Sequence, residues 1–237
     1  SRGLGDVYKR QVKEVNDQFK TQVNAKYAFY RTHYVNNDDK LIEVDNLYKQ
    51  REVYVSTANM YTIFPFWDVS MSYDFQWNEM KADMYGFVFP TRFTNLLSIA
   101  TALRLGKVKL QGSGLATFVN DRVKEGPAPK ARQILTPAVF LSYKLFDKHD
   151  FSLRAFYKKT FRMPTFNDLY YADMGNSKLD PEYVTQYNLG TVYQKQWGNK
   201  LFRHFKIQAD GYYNYVKDKI IAVSYTHLRA HETGRNL

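Results

Sequence analysis

The chain has 237 residues, a formal net charge of +11, no cysteine, 20 tyrosines and 17 phenylalanines. The absence of cysteine excludes disulfides and thiolate metal sites. Mean hydropathy is −0.53 and no run approaches the ~18 apolar residues of a membrane helix, so any membrane crossing must be made by strands. The basic balance does not point to nucleic acid, because Lys and Arg are scattered along the chain with Asp and Glu between them.

In chain order, Ser1–Gln11 (SRGLGDVYKRQ) resembles translated sequencing-adaptor DNA and is expected to be a non-native tail, packed poorly against the rest. Native sequence is then expected over Val12–Ala222, with strands at Phe19–Val35, Leu47–Ile63, Asp68–Asn78, Pro90–Leu105, Val108–Arg122, Gln133–Phe146, Phe151–Arg162, Tyr183–Trp197 and Leu201–Val216. The connections alternate between long ones, such as Asn36–Asn46 and Met163–Glu182, and tight turns, such as Phe64–Trp67 and Gly106–Lys107. Val223–Leu237, which contains YTHLRAHET, is expected to be a second adaptor-like tail, so the spacing of His227 and His231 carries no metal-site meaning. Without the five Lys/Arg and two Asp/Glu of the tails, the charge falls from +11 to +8. No signal peptide opens the chain, and an outer-membrane protein needs one; the expectation is that the chain lacks its beginning or is not such a protein.

These strands alternate with period two, the mark of a sheet with two unlike faces. Val69, Met71, Tyr73, Phe75, Leu153, Tyr157, Ile207 and Tyr213 are expected to face outward. Asp74, Gln76, Arg154, Lys158, Gln208 and Asp210 are expected to face inward. Strands this long, all long connections at one end and tyrosines on the uncharged faces fit an outer-membrane β-barrel wall, with lipid outside and a wet lumen inside. A soluble β-sandwich would show shorter strands. The fold class expected is all-β, an antiparallel meander of about nine long strands.

Other candidate sites are weak. Gly112-Ser113-Gly114 lies mid-strand with no helix after it, as a bend or bulge would. His33, His149 and His204 are isolated. Asp38, Asp39 and Asp173 are loop carboxylates of the type hard cations take, but no D-x-D-x-D-G pattern accompanies them.

The longest connection reads F-R-M-P-T-F-N-D-L-Y-Y-A-D-M-G-N-S-K-L-D-P-E over Phe161–Glu182. Pro164 ends the preceding strand, Gly175-Asn176 offers a left-handed turn, and Pro181 blocks a ladder hydrogen bond before the next strand. The stretch folds a large loop back onto the barrel mouth. It resembles the TonB-dependent outer-membrane receptors in Phe161, Arg162, Pro164, Asn167, Leu169 and Tyr170, then Gly175, Asn176, Leu179, Pro181 and Glu182, then Gln186, Tyr187 and Gly190. Gln50, Arg51, Glu52, Tyr54 and Ser56, Pro90–Arg92, and Asp210–Ile220 extend the resemblance more weakly.

The resemblance implies part of a 22-stranded transmembrane barrel in the outer membrane of a Gram-negative bacterium. Its partners would be outer-membrane lipid, a small nutrient ligand, and the TonB complex through an N-terminal plug region that is not visible here. It implies a receptor that binds a scarce nutrient, cobalamin or a metal–siderophore, and imports it with TonB-supplied energy. No cofactor and no catalysis are expected. A glycan-uptake receptor of the same family, a passive porin or adhesin barrel, and a membrane-embedded hydrolase stay open as alternatives. The motif residues are expected mainly as scaffold, with Tyr170, Tyr171, Asp173 and Met174 as candidate ligand contacts.

Overall fold

A computed structural model describes residues 2–14, 16–36, 44–126, 128–146, 150–170, 176, 178–196 and 204–220. The strands are β1 (Arg2–Glu14), β2 (Phe19–Asn36), β3 (Val44–Phe64), β4 (Trp67–Ala82), β5 (Thr91–Leu105), β6 (Val108–Arg122), β7 (Arg132–Lys144), β8 (Asp150–Arg162), β9 (Glu182–Gln196) and β10 (His204–Lys217). They form one ten-stranded antiparallel sheet in sequence order. The one helix among the described residues is the short α1 (Phe166–Tyr170).

All nine expected strands are present as β2–β10, and the tenth is a correction. Arg2–Glu14 does not lie off the sheet; it pairs with β2 from Arg2↔Thr32 to Glu14↔Lys20. Backbone pairing asks little of side chains, so a segment can extend an open edge whatever its composition. Its outward side chains are nevertheless unlike those of its neighbours. Lys9, Gln11 and Lys13 are exposed and pair with Ala25, Val23 and Thr21. The expectation for Val223–Leu237 lies outside the described residues.

β6 has the bounds its pattern predicts, and its turn explains why. Gly106, at φ +55°, takes the first central position of a two-residue hairpin closed by Leu105↔Val108. A positive φ at that position is what a tight turn following the strand twist requires. The glycine pair Gly112/Gly114 makes no bulge, because the ladders to β5 and β7 run through it unbroken. Missing side chains weaken a strand without forcing a break when both neighbours are paired.

The register places the eight expected outward residues on one face, since residues directly opposite each other share a side. Phe75 pairs with Val55 and Asn95. Tyr157, Tyr187 and Tyr213 lie in one row, with ring centroids 5.3 and 6.4 Å apart. Asn95, a polar intruder on this face, accepts a 2.6 Å hydrogen bond from the Tyr73 hydroxyl. Aromatic rows bound the face near its ends. Tyr193 lies beside both Phe151 and Phe205 at the turn end, 6.5 Å from each ring centre, and Phe161 pairs with Tyr183 at the loop end. Ten residues separate Phe151 from Phe161. At ~3.4 Å per residue and a tilt of about 40°, that separation spans roughly 25 Å, the height of a barrel's apolar band.

The inner face is polar and cross-linked. Lys26 pairs with Glu52 at 3.3 Å. Arg154 reaches Asp210 at 2.9 Å, two strands away, across Gly190. A Cβ on Gly190 would lie 2.0 Å from the Asp210 carboxylate, so the missing side chain is what lets this pair form. In the complete receptor, Phe75→Arg should cost about 2–4 kcal/mol as a charge near the bilayer midplane, whereas Gln76→Arg, on the wet face, should cost much less. Urea unfolding of the receptor in lipid vesicles measures both; equal costs would mean that the two faces are misassigned.

Candidate functional site

The loop after β8 is fixed to the inner face first by a buried ion pair. Arg92, at the start of β5, faces Asp121, near the end of β6. Its Nε and Nη2 donate to the two Asp121 carboxylate oxygens at 2.7 Å each, and Nη1 donates to the Pro164 carbonyl at 2.6 Å. The guanidinium also lies 5.2 Å from the Phe166 ring centre. Both charged side chains are at least nine-tenths buried. A planar fork that grips a carboxylate bidentately and still has a donor left for a carbonyl is a role lysine cannot fill.

From Pro164 the chain turns into α1. The Thr165 N–H donates to Asp168 Oδ2 at 2.8 Å, and the Asp168 N–H donates back to Thr165 Oγ1 at 3.2 Å. This is a capping box with aspartate in place of the usual glutamate. Arg162 holds the same carboxylate at 3.2 Å. Phe166 and Leu169 are buried, and Phe166 joins Tyr48, Met80 and Phe87 in a core cluster roofed by Tyr170, Met84 and Phe89. Further on, the Asn176 N–H donates to the Asp168 carbonyl at 2.9 Å, and Asn176 Oδ1 accepts from the Lys178 N–H at 3.0 Å. Pro181 is buried, Asp180 pairs with Arg132, and Glu182 accepts the Ile220 N–H at 2.9 Å.

The expected site residues therefore divide. Arg162, Pro164, Leu169, Asn176, Pro181 and Glu182 hold the loop, and Leu179 closes a turn on the Asn176 carbonyl. Asn167 is exposed and lines a hollow of about 450 Å³ with Tyr30, Gln50, Glu52 and Thr165. Tyr170 is half-buried on the cluster. Burial raises its phenol pKa, the nearby Asp121 carboxylate adds to the rise, and Arg92 opposes it. Tyr171, Asp173 and Met174 lie outside the described residues, as do Asp38 and Asp39. A second hollow, of about 390 Å³, lies between the loop and the wall and is lined by Gln76, Asn78, Thr94 and Met163.

The clamped loop leaves polar-lined hollows on the inner face of the sheet, which offer hydrogen-bond donors and acceptors. The fold and site belong to the class of outer-membrane β-barrels. Within it, the sequence matches the family described as TonB dependent receptor-like, beta-barrel, over residues 5–231, and the chain belongs to that family. The family is one of outer-membrane receptors, not enzymes. The matched stretch reaches into both end segments.

No curated protein sequence matches the chain. Among solved structures, the copper transporter OprC is similar at 15% identity and TM-score 0.66, covering 91% of this chain and 39% of its own. The ferric-catecholate import receptor Fiu of E. coli K12 gives 11% identity and TM-score 0.58, covering 93% and 45%. P. aeruginosa FpvA, bound to a pyoverdine and iron, gives 15% identity and TM-score 0.54, covering 91% and 38%. The likeness is one of fold, and the chain spans between 38% and 45% of the length of these three receptors.

Proposed function

We propose that this chain is part of the barrel of a Gram-negative outer-membrane receptor that binds a scarce nutrient and imports it with energy delivered through TonB. The nutrient is a metal–siderophore chelate or cobalamin. The observation that carries this reading is membership of the receptor family over nearly the whole chain. The receptors of similar fold include a copper transporter, a ferric-catecholate import receptor and a receptor bound to a pyoverdine and iron, which favours a metal chelate over a glycan. The net +8 of the chain without its two end segments also suits an anionic chelate. The wall here supplies part of the pocket, and TonB acts through a plug region carried elsewhere in the receptor. Ser1–Gln11 and Val223–Leu237 are proposed as non-native adaptor-derived residues on their sequence alone, since the pairing of β1 with β2 gives the reading no structural support at Ser1–Gln11.

The test is to recover the complete gene, express it in a host stripped of its own receptors, and follow uptake of labelled ferric chelates and cobalamin. Uptake of one of these that disappears in a host lacking TonB is the expected result. Accumulation of many small solutes independent of TonB would replace this reading with a passive porin.

A further inference from the structure

We propose that the inner wall at the turn end of β4–β8 is a second station for the nutrient. It takes an anionic chelate, with one aromatic ring laid on Phe140 and Phe156 and the charge held by Lys109 and Lys158. A hollow of about 640 Å³ lies there. It is separate from the hollows beside Phe166, because Phe156 lies six residues before Arg162, where the loop begins. That is roughly 20 Å along the strand.

The ladders stack three inward rows at this place. The middle row runs Phe156, Phe140, Gln111, Ala102, Asp68. The row on its loop side runs Lys158, Ala138, Ser113, Ala100, Ser70. The row on its turn side runs Arg154, Ser142, Lys109, Arg104. Small side chains at Ala100, Ala102, Ser113 and Ala138 give the hollow its depth. Phe140 and Phe156 stand directly opposite each other on the wet face, and neither is fully buried. A pair of large apolar rings on a polar face is the informative exception, since covering them with a ligand removes apolar surface from water.

The charge around the rings is unbalanced. Arg104 holds Asp68 at 2.6 Å and Arg154 holds Asp210 at 2.9 Å. Lys109 and Lys158 are exposed and meet no carboxylate among the described residues. Arg154 also keeps a buried Nε–H with no acceptor among the described residues. Neighbouring inward rows are ~7 Å apart, so the rings and the lysines fall within the width of one small molecule. The occupant that satisfies both carries its negative charge on or beside a flat ring, as the aryl-oxide arms of a ferric chelate do. An inorganic anion would leave the rings bare, and an uncharged ring would leave the lysines unanswered.

The inference rests on the receptor reading proposed above and narrows its nutrient to a chelate with aromatic, anionic arms. In the complete receptor, Ser113 is replaced by photoreactive benzoylphenylalanine, and cells with and without TonB are given a tritium-labelled ferric tris-catecholate. Illumination should link the chelate at position 113 only in cells that have TonB. K109Q/K158Q should lower the maximal uptake rate roughly tenfold, the scale of lost charge-assisted hydrogen bonds, with the surface affinity for the chelate unchanged. F140L/F156L, which keeps apolar side chains and removes the rings, should also slow uptake with the charge unchanged. Heat-modifiable migration on gels checks that each variant is folded. A chelate bound outside that is never linked at position 113, which instead links only to the receptor's own plug region, would overturn the station. So would an unchanged maximal rate in folded K109Q/K158Q, or equal linking of an aromatic-free ferric trihydroxamate. Absence of TonB-dependent uptake of any ferric chelate or cobalamin would instead remove the receptor reading on which the station rests.

Discussion

Arg92→Ala should destabilise the complete receptor by about 3–5 kcal/mol, the cost of leaving one partner of a buried ion pair uncompensated. Asp121 would keep its charge with no cation against it, and the Pro164 carbonyl would lose its donor. Phe166 would lose its guanidinium neighbour. The double substitution Arg92→Met/Asp121→Leu should cost much less than either single change, since it removes the buried charges together. Urea unfolding in lipid vesicles measures all three variants. A cost near 1 kcal/mol for Arg92→Ala, the range of an exposed pair, would mean that water reaches the anchor.

Replacing Phe166–Gly175 by a short Gly/Ser turn should abolish nutrient uptake while the receptor still reaches the surface. The segment carries Phe166 and Leu169, each worth about 1.5–3 kcal/mol when fully buried, together with the Asp168 cap. Its loss would leave Tyr48, Met80 and Phe87 uncovered and merge the two hollows beside Phe166 into open lumen. Tyr170→Phe separates shape from chemistry, because the ring stays in the cluster and only the hydroxyl goes. If Tyr170 is scaffold, that variant should transport normally. Growth on the limiting nutrient, with whole-cell labelling as the expression check, reads both variants. Normal growth of the loop replacement at normal surface expression would remove the loop from the binding site.

Strand positions were legible because the alternation is strict and the turns are marked by their own residues. Gly106 is the clearest case, since its turn alone fixes β5 against β6. Thirteen steps back from Leu105 and thirteen forward from Val108 lie Arg92 and Asp121, so the hairpin already contained the anchor. The pair is invisible to charge pairing between neighbours in sequence, because its two members meet only across the register. Pattern did not fix strand ends. β3 begins at Val44 and β4 runs on to Ala82, past polar residues, because a paired neighbour holds the backbone extended after the apolar alternation has faded. Met80 and Phe87 lie beyond the alternating stretch that ends at Asn78, yet they form the floor beneath Phe166. Burial there is created by a loop arriving from far along the chain, which no local window contains.

The meander also sets an order of assembly. Every ladder joins strands adjacent in sequence, so each hairpin can add to the last with only a small closure entropy. The hydrogen bond from Arg92 to the Pro164 carbonyl is different in kind, because it links residues 72 apart and needs β5 through β8 already side by side. A slip of one residue in any of those ladders would turn a whole strand over and carry Pro164 or Asp121 away from the guanidinium. The clamp can therefore close only on a correctly registered wall. Its closure is thus tied to the register of β5 through β8 and to no other strand.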